Sequence, residues 1–204
     1  MKVPQEVMSK ALEEGKVLPY EEELVSKLRG LTYKGFPLSI FLFCREFCRG
    51  ECYSMSMNLS RAMEHFTLVH GDVNFIVLDE KDPNHSWVEK DGFVYDTTDG
   101  FRWDKDLYYE LFKPVVREVY DENTVKDYSD YQRVLSHSDD KIDLEQLKLM
   151  VQYIELLEEE QPYVNCKFLQ REIDLWREKN NITDRFSDEV MVQYKKILAE
   201  LKNS

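Results

Sequence analysis

The segment Asn84-His85-Ser86-Trp87-Val88-Glu89-Lys90-Asp91-Gly92-Phe93-Val94-Tyr95-Asp96-Thr97-Thr98 decides how the rest of the chain is read. Trp87, Val88, Phe93, Val94 and Tyr95 are strand formers on either side of Asp91-Gly92. Gly takes φ > 0 without steric cost and Asp tolerates it, so the pattern predicts a β-hairpin closed at that dipeptide. Such a hairpin sets its arms side by side and brings His85 and Asp96 toward one open end. A carboxylate there bonds one imidazole nitrogen and fixes the tautomer and orientation of the ring. The member missing from such a group is a thiolate. Gly50-Glu51-Cys52-Tyr53 supplies one upstream.

Gly50 interrupts the preceding apolar segment, and a helix is expected to begin near Cys52 and run to about Phe66. Met55, Leu59, Met63 and Phe66 recur at helical spacing. A free thiol titrates near ~8.5, and a helix N-terminus or a neighbouring imidazolium lowers that value by units. Cys52 is placed for both influences. The unsatisfied amides of a first helical turn also offer an oxyanion site.

Gly50-x-Cys52-aromatic, then His85-x-Trp87-Val88-Glu89, then Asp96-x-Thr98, taken in that order, resembles the transglutaminase-like superfamily. The resemblance covers roughly residues 36–103, a third of the chain. It implies an α+β fold: a papain-like or transglutaminase-like core, with the nucleophile helix packed on an antiparallel sheet. It also implies a Cys52-His85-Asp96 triad. Cys52 would attack an amide or ester carbonyl, His85 would act as base and then acid, and Asp96 would orient His85. Trp87 and Tyr53 would line the cleft, Trp87 either walling it or packing beneath. No cofactor is implied, and the substrate would be a protein or peptide. Hydrolysis is expected over cross-linking, because no calcium-loop pattern of the kind the large animal enzymes need is present. One position departs from the papain pattern. A Gln about six residues before the nucleophile helps hold the oxyanion there, and this chain has Glu46, an anion. Tyr33 and Asn58 are alternative polar side chains for that task.

The chain has 204 residues and a formal net charge of −13, with Asp and Glu well in excess of Lys and Arg. That balance speaks against binding nucleic-acid phosphates or anionic lipid, which takes clustered cations. With 43% apolar residues, including 11 Phe, 12 Tyr and 3 Trp, the chain can fill a core. Residues 1–15 do not read as a leader, and the apolar run Phe36–Phe43 is far below the ~20 residues of a membrane span. The cysteines are Cys44, Cys48, Cys52 and Cys166, three of them four apart, which suits reduced thiols in the cytoplasm better than a disulfide framework.

In chain order, an N-terminal helical segment is expected over 1–35, with helices at Gln5–Glu14 and Tyr20–Leu28 stopped by Gly15 and Gly30. The transglutaminase-like core follows over 36–135. Within it Pro37 opens a helix toward Phe47, Val73–Leu78 reads as strand and Asp79–Asn84 as a loop. Phe101-Arg102-Trp103 reads as a loop or short helix, Tyr108–Phe112 as helix, and Pro114–Tyr120 as strand-like or irregular. Residues 140–204 read as a C-terminal helical extension with helices near Leu144–Leu157, Asn165–Lys179 and Ser187–Lys202. These helices pack on the core of the same molecule or offer a surface for a partner or for self-association.

Each singled-out residue also has a plainer structural reading. A lone Cys is usually a small buried hydrophobe. His85 can be a surface histidine, and Asp96 can cap the turn at Thr98. His65, His70 and His137 lack a partner pattern and are read as structural or exposed. Cys44, Cys48 and Cys52 on one helix would align without converging, so metal binding is disfavoured. Two readings other than catalysis stay open: a catalytically inactive transglutaminase-like fold used as a protein-interaction module, and a metal-binding regulator.

Overall fold

The structure is a computed structural model that describes residues 3–34, 36–42, 51–75, 80–97, 100–128, 131 and 166–179. The chain divides into two compact units, Met1–Lys141 and Ile142–Ser204. The first unit is an α+β assembly around a six-stranded antiparallel sheet of order β1-β7-β6-β5-β4-β8. Its strands are β1 (Val17–Pro19), β4 (Thr67–Phe75), β5 (Glu80–Lys90), β6 (Phe93–Tyr95), β7 (Phe101–Asp104) and β8 (Val115–Tyr120). A small separate ladder joins β2 (Thr32–Tyr33) to β3 (Phe36–Pro37). The described α-helices of this unit are α1 (Gln5–Glu13), α2 (Glu22–Arg29), α3 (Leu38–Phe41), α4 (Cys52–Ser60) and α5 (Lys105–Phe112).

The hairpin forms where the sequence predicts it. Lys90 pairs with Phe93, and Asp91 and Gly92 take φ of 51° and 81°. Positive φ at both central residues is the twist that suits a two-residue hairpin. Four expected elements differ. Phe101–Asp104 is a strand, because Val17–Pro19 pairs with it on one side and β6 on the other. Long-range pairing decides so short a run. The expected loop over residues 79–84 is largely strand: β5 already pairs with β4 at Glu80, and the breakers Pro83 and Asn84 are absorbed by a bulge. The helix at Cys52 ends at Ser60, not Phe66; Met63 and Phe66 are buried from the turn that follows. Apolar spacing there records burial, not helix. The second helix starts at Glu22, after a strand that ends at Pro19.

Helix α4 is buried from Ser54 to Ser60, polar residues included. The polar groups are paired locally: Asn58 Nδ2 donates to Ser54 O and Ser60 Oγ to Met57 O, at 2.8 and 2.7 Å. Ser56 Oγ donates to Ser86 O of β5 at 2.8 Å, which ties the helix to the strand carrying His85. A helix buried all round has to satisfy its polar groups in this way. Among the described residues of this unit, Trp87, Trp103, Tyr108, Phe36, Phe41 and Phe112 are the largest fully buried side chains.

In the second unit the described element is α6 (Cys166–Lys179), with Ile173 and Trp176 buried three residues apart. The other two expected C-terminal helices, Leu144–Leu157 and Ser187–Lys202, lie outside the described residues, as do Gly50, Cys44, Cys48, Glu46, Thr98 and His137. No helix among the described residues is long and apolar enough to cross a membrane.

Candidate active site

Cys52 is the first residue of α4, half-buried, at a terminus whose leading amides have no acceptor within the helix. The preceding Glu51 turns its carboxylate aside: Tyr33 Oη donates to Oε2 at 3.2 Å and Lys34 Nζ to Oε1 at 2.6 Å. The anion closest in sequence to the sulfur is thereby neutralised by a lysine. Cys52 Sγ donates to the Asn84 carbonyl at 3.7 Å.

His85 and Asp96 meet as the hairpin register requires. His85 Nε2 donates to Asp96 Oδ2 at 2.8 Å, and their side chains are 1% and 0% exposed. With Nε2 engaged, Nδ1 is the ring nitrogen left for the thiol, and Cys52 is among the groups that raise the pKa of His85. The structure thus brings the three sequence-predicted site residues together. It differs in one respect: His85 lies inside β5 and is buried, whereas the sequence predicts a loop up to Asn84 and so puts His85 at a strand start. Burial on its own would lower its pKa. The charge and hydrogen bond of Asp96, with a smaller share from Cys52, outweigh it and raise the group to about 10. His85 is therefore held as imidazolium at neutral pH, the form that favours a thiolate partner.

Asp96 is fixed from two further sides. Tyr108 Oη donates to Oδ2 at 2.7 Å, and Tyr20 Oη donates to its backbone carbonyl at 3.3 Å. Trp87 is fully buried and stacks on His85, centroids 6.1 Å apart at 24°, so it packs beneath the imidazole. Its Nε1 donates to Glu89 Oε1 at 2.9 Å. Tyr109 Oη and Lys105 Nζ complete the Glu89 carboxylate at 2.6 and 2.5 Å. Because side chains alternate along a strand, His85, Trp87 and Glu89 share one face of β5. The adjacent tyrosines Tyr108 and Tyr109 of α5 hold Asp96 and Glu89 respectively.

Tyr53 is half-buried and packs on His70, with centroids 4.4 Å apart; Tyr128 and Tyr120 surround the same imidazole at 4.8 and 5.2 Å. Its contacts are those of a packed aromatic cluster beside Cys52. Burial lowers the pKa of His70 against the opposing pull of Glu118, so this imidazole is neutral at pH 7. His65 is exposed, its ring near Glu122. Neither alternative oxyanion donor is available. Tyr33 is committed to Glu51, and the Asn58 amide bonds Ser54 O while its Oδ1 accepts from Arg61.

Sequence reasoning missed Tyr108, Tyr20 and the polar group Asp72, Asn84 and Arg117. Helix α5 did carry a start signal, Asp104, whose side chain accepts from the Leu107 amide at 3.0 Å. Nothing local marks which carboxylate Tyr108 serves. Among the described residues no group of three or more His, Cys, Asp or Glu side chains is placed to hold a metal ion. No family model matches the chain, and neither the curated proteins nor the solved structures contain a significant match.

Proposed function

We propose that this protein is a cysteine-dependent acyl-transfer enzyme of peptidase or amidase type, with a transglutaminase-like, papain-like core. The observation that carries the reading is Cys52 at a helix N-terminus, its Sγ 3.7 Å from the carbonyl of Asn84, the residue before a buried His85 that is bonded to Asp96 at 2.8 Å. The Cys52 thiolate attacks an amide or ester carbonyl, and the first-turn amides of α4 stabilise the developing oxyanion. The His85 imidazolium protonates the leaving amine or alkoxide as the C–N or C–O bond breaks, leaving a thioester on Cys52. Neutral His85 then takes a proton from water, which attacks the thioester and releases acid and thiol. Asp96 keeps the ring oriented throughout and stabilises its charged form. The substrate is a protein or peptide, and the cytoplasm is the compartment that keeps such a thiol reduced.

A second reading is a catalytically inactive fold used as an interaction module, and one observation favours it: His85 is only 1% exposed. Iodoacetamide modification separates the two, with the labelled cysteine located by mass spectrometry in the native protein and in His85→Ala. The enzyme reading expects fast, selective labelling of Cys52 at neutral pH, slowed in the variant. Slow or unselective labelling that the variant leaves unchanged favours the interaction module.

A further inference from the structure

Strand β4 carries irregularities toward both neighbours at one place. Its register shifts between Gly71 and Val73 on the β5 side and between His70 and Gly71 on the β8 side. Gly71 is required there, since a Cβ would lie 2.5 Å from Val115 O and 2.9 Å from the Trp87 ring. Bulges beside active sites commonly re-aim side chains. Here they bring Asp72 of β4, Asn84 of β5 and Arg117 of β8 into one hydrogen-bonded group. Asp72 Oδ1 accepts from the Asn84 amide at 3.1 Å, and Asp72 Oδ2 accepts from Arg117 Nη2 at 2.7 Å. Arg117 Nη1 donates to Asn84 Oδ1 at 2.9 Å, which closes the ring.

Asn84 is the residue so held. Its φ is 73°, in the left-handed region that Asn tolerates better than most residues. Its carbonyl receives Cys52 Sγ at 3.7 Å, and the next residue is His85. The conformation of this one residue therefore sets both where the thiol rests and how the backbone leads into His85. We infer that Arg117 and Asp72 are positioning residues for the Cys52–His85 pair, acting through Asn84; the inference rests on the catalytic reading above. The Arg117 fork suits the task because a planar guanidinium spans two acceptors in fixed geometry, which an ammonium does not. Both partners are partly solvated, with side chains 49% and 26% exposed. Such a pair adds little to global stability, so an effect on the site can be separated from an effect on folding.

The test uses the full chain and iodoacetamide, with Cys52 labelling rates at pH 7 and thermal unfolding measured on Arg117→Met, Asn84→Gly, the double variant and His85→Ala. Asn84→Gly removes Oδ1 while Gly keeps the positive φ accessible. The inference expects each of Arg117→Met and Asn84→Gly to slow labelling about tenfold with nearly unchanged unfolding, the double variant being no slower than either single one. Wild-type labelling in Arg117→Met, with His85→Ala slow, overturns the inference and leaves the catalytic reading standing. Additive losses in the double variant overturn it too, because Arg117 then acts by another route. If His85→Ala labels as fast as the native protein, the catalytic reading fails and the inference falls with it. Should Arg117→Met not fold, Asn84→Gly against His85→Ala decides: a wild-type rate in Asn84→Gly overturns the inference.

Discussion

Tyr108 donates its hydroxyl to Asp96 Oδ2, the same oxygen that receives Nε2 of His85, at 2.7 against 2.8 Å. One carboxylate oxygen thus serves two buried donors, one neutral and one charged. Tyr108→Phe leaves the ring and removes the neutral donor. A hydrogen bond to a charged group contributes about 1.5–3 kcal/mol, and urea denaturation is expected to register a loss of that order. With less compensation, the Asp96 anion pulls harder on the imidazolium. Proton NMR titration should therefore show His85 holding its proton to higher pH in the variant; a downward move would contradict this account.

The buried histidines His85 and His70 predict a two-sided pH dependence of stability. His85 is raised from 6.5 to about 10, so its contribution is fully present below pH 6.5 and is lost as pH rises through about 10. His70 is lowered by burial, so its contribution is present above 6.5 and is lost as pH falls through its depressed value. Urea denaturation from pH 5 to 10.5 should give a maximum near neutrality. The alkaline decline should flatten in Asp96→Asn, and the acid decline should lessen in His70→Gln. An alkaline limb unchanged by Asp96→Asn would remove the His85–Asp96 pair as its cause.

Gly71→Ala tests the double bulge. The added methyl meets the Val115 carbonyl and the Trp87 ring, so β8 or Trp87 must shift. Overpacking of this kind costs about 1–3 kcal/mol, seen as a lower urea midpoint with unchanged slope. Wild-type stability would show that β8 has room to move away from β4.

Gly92→Ala tests the turn through a different cause. Nothing lies within 4 Å of an added Cβ, yet φ is 81°. The expected loss, about 1–2 kcal/mol, is conformational alone. Asp91→Asn, which gives the best dipeptide for this turn, should be neutral or stabilising. The same urea titrations measure both, and a loss in Asp91→Asn would mean that Asp91 has a role beyond the turn.

The hairpin, and with it the pairing of His85 with Asp96, was legible because a two-residue turn fixes register and register fixes which side chains share an end. The start of α4 at Cys52 was legible for a similar local reason, a glycine two positions ahead of it in the sequence. What escaped was decided at a distance. Phe101–Asp104 is a strand only because Val17–Pro19 and β6 flank it. Pro83 and Asn84 carry loop signals, yet β4 keeps them in the sheet across a bulge. Tyr108 and Tyr20 lie 12 and 76 positions from Asp96, and nothing in a tyrosine's neighbours tells which carboxylate it will meet. The burial of His85 escaped for the same reason, since it follows from helix packing that composition does not specify.

The His85–Asp96 bond spans 11 positions and the Trp87–Glu89 bond only two, whereas Cys52 meets Asn84 across 32. Contacts close in sequence cost little loop-closure entropy and form early. The His85–Asp96 pair therefore needs only its own hairpin, whereas the contact with Cys52 needs α4 docked on β5. Loosening α4 from the sheet would accordingly part the sulfur from the imidazole and leave the His85–Asp96 pair held by its hairpin.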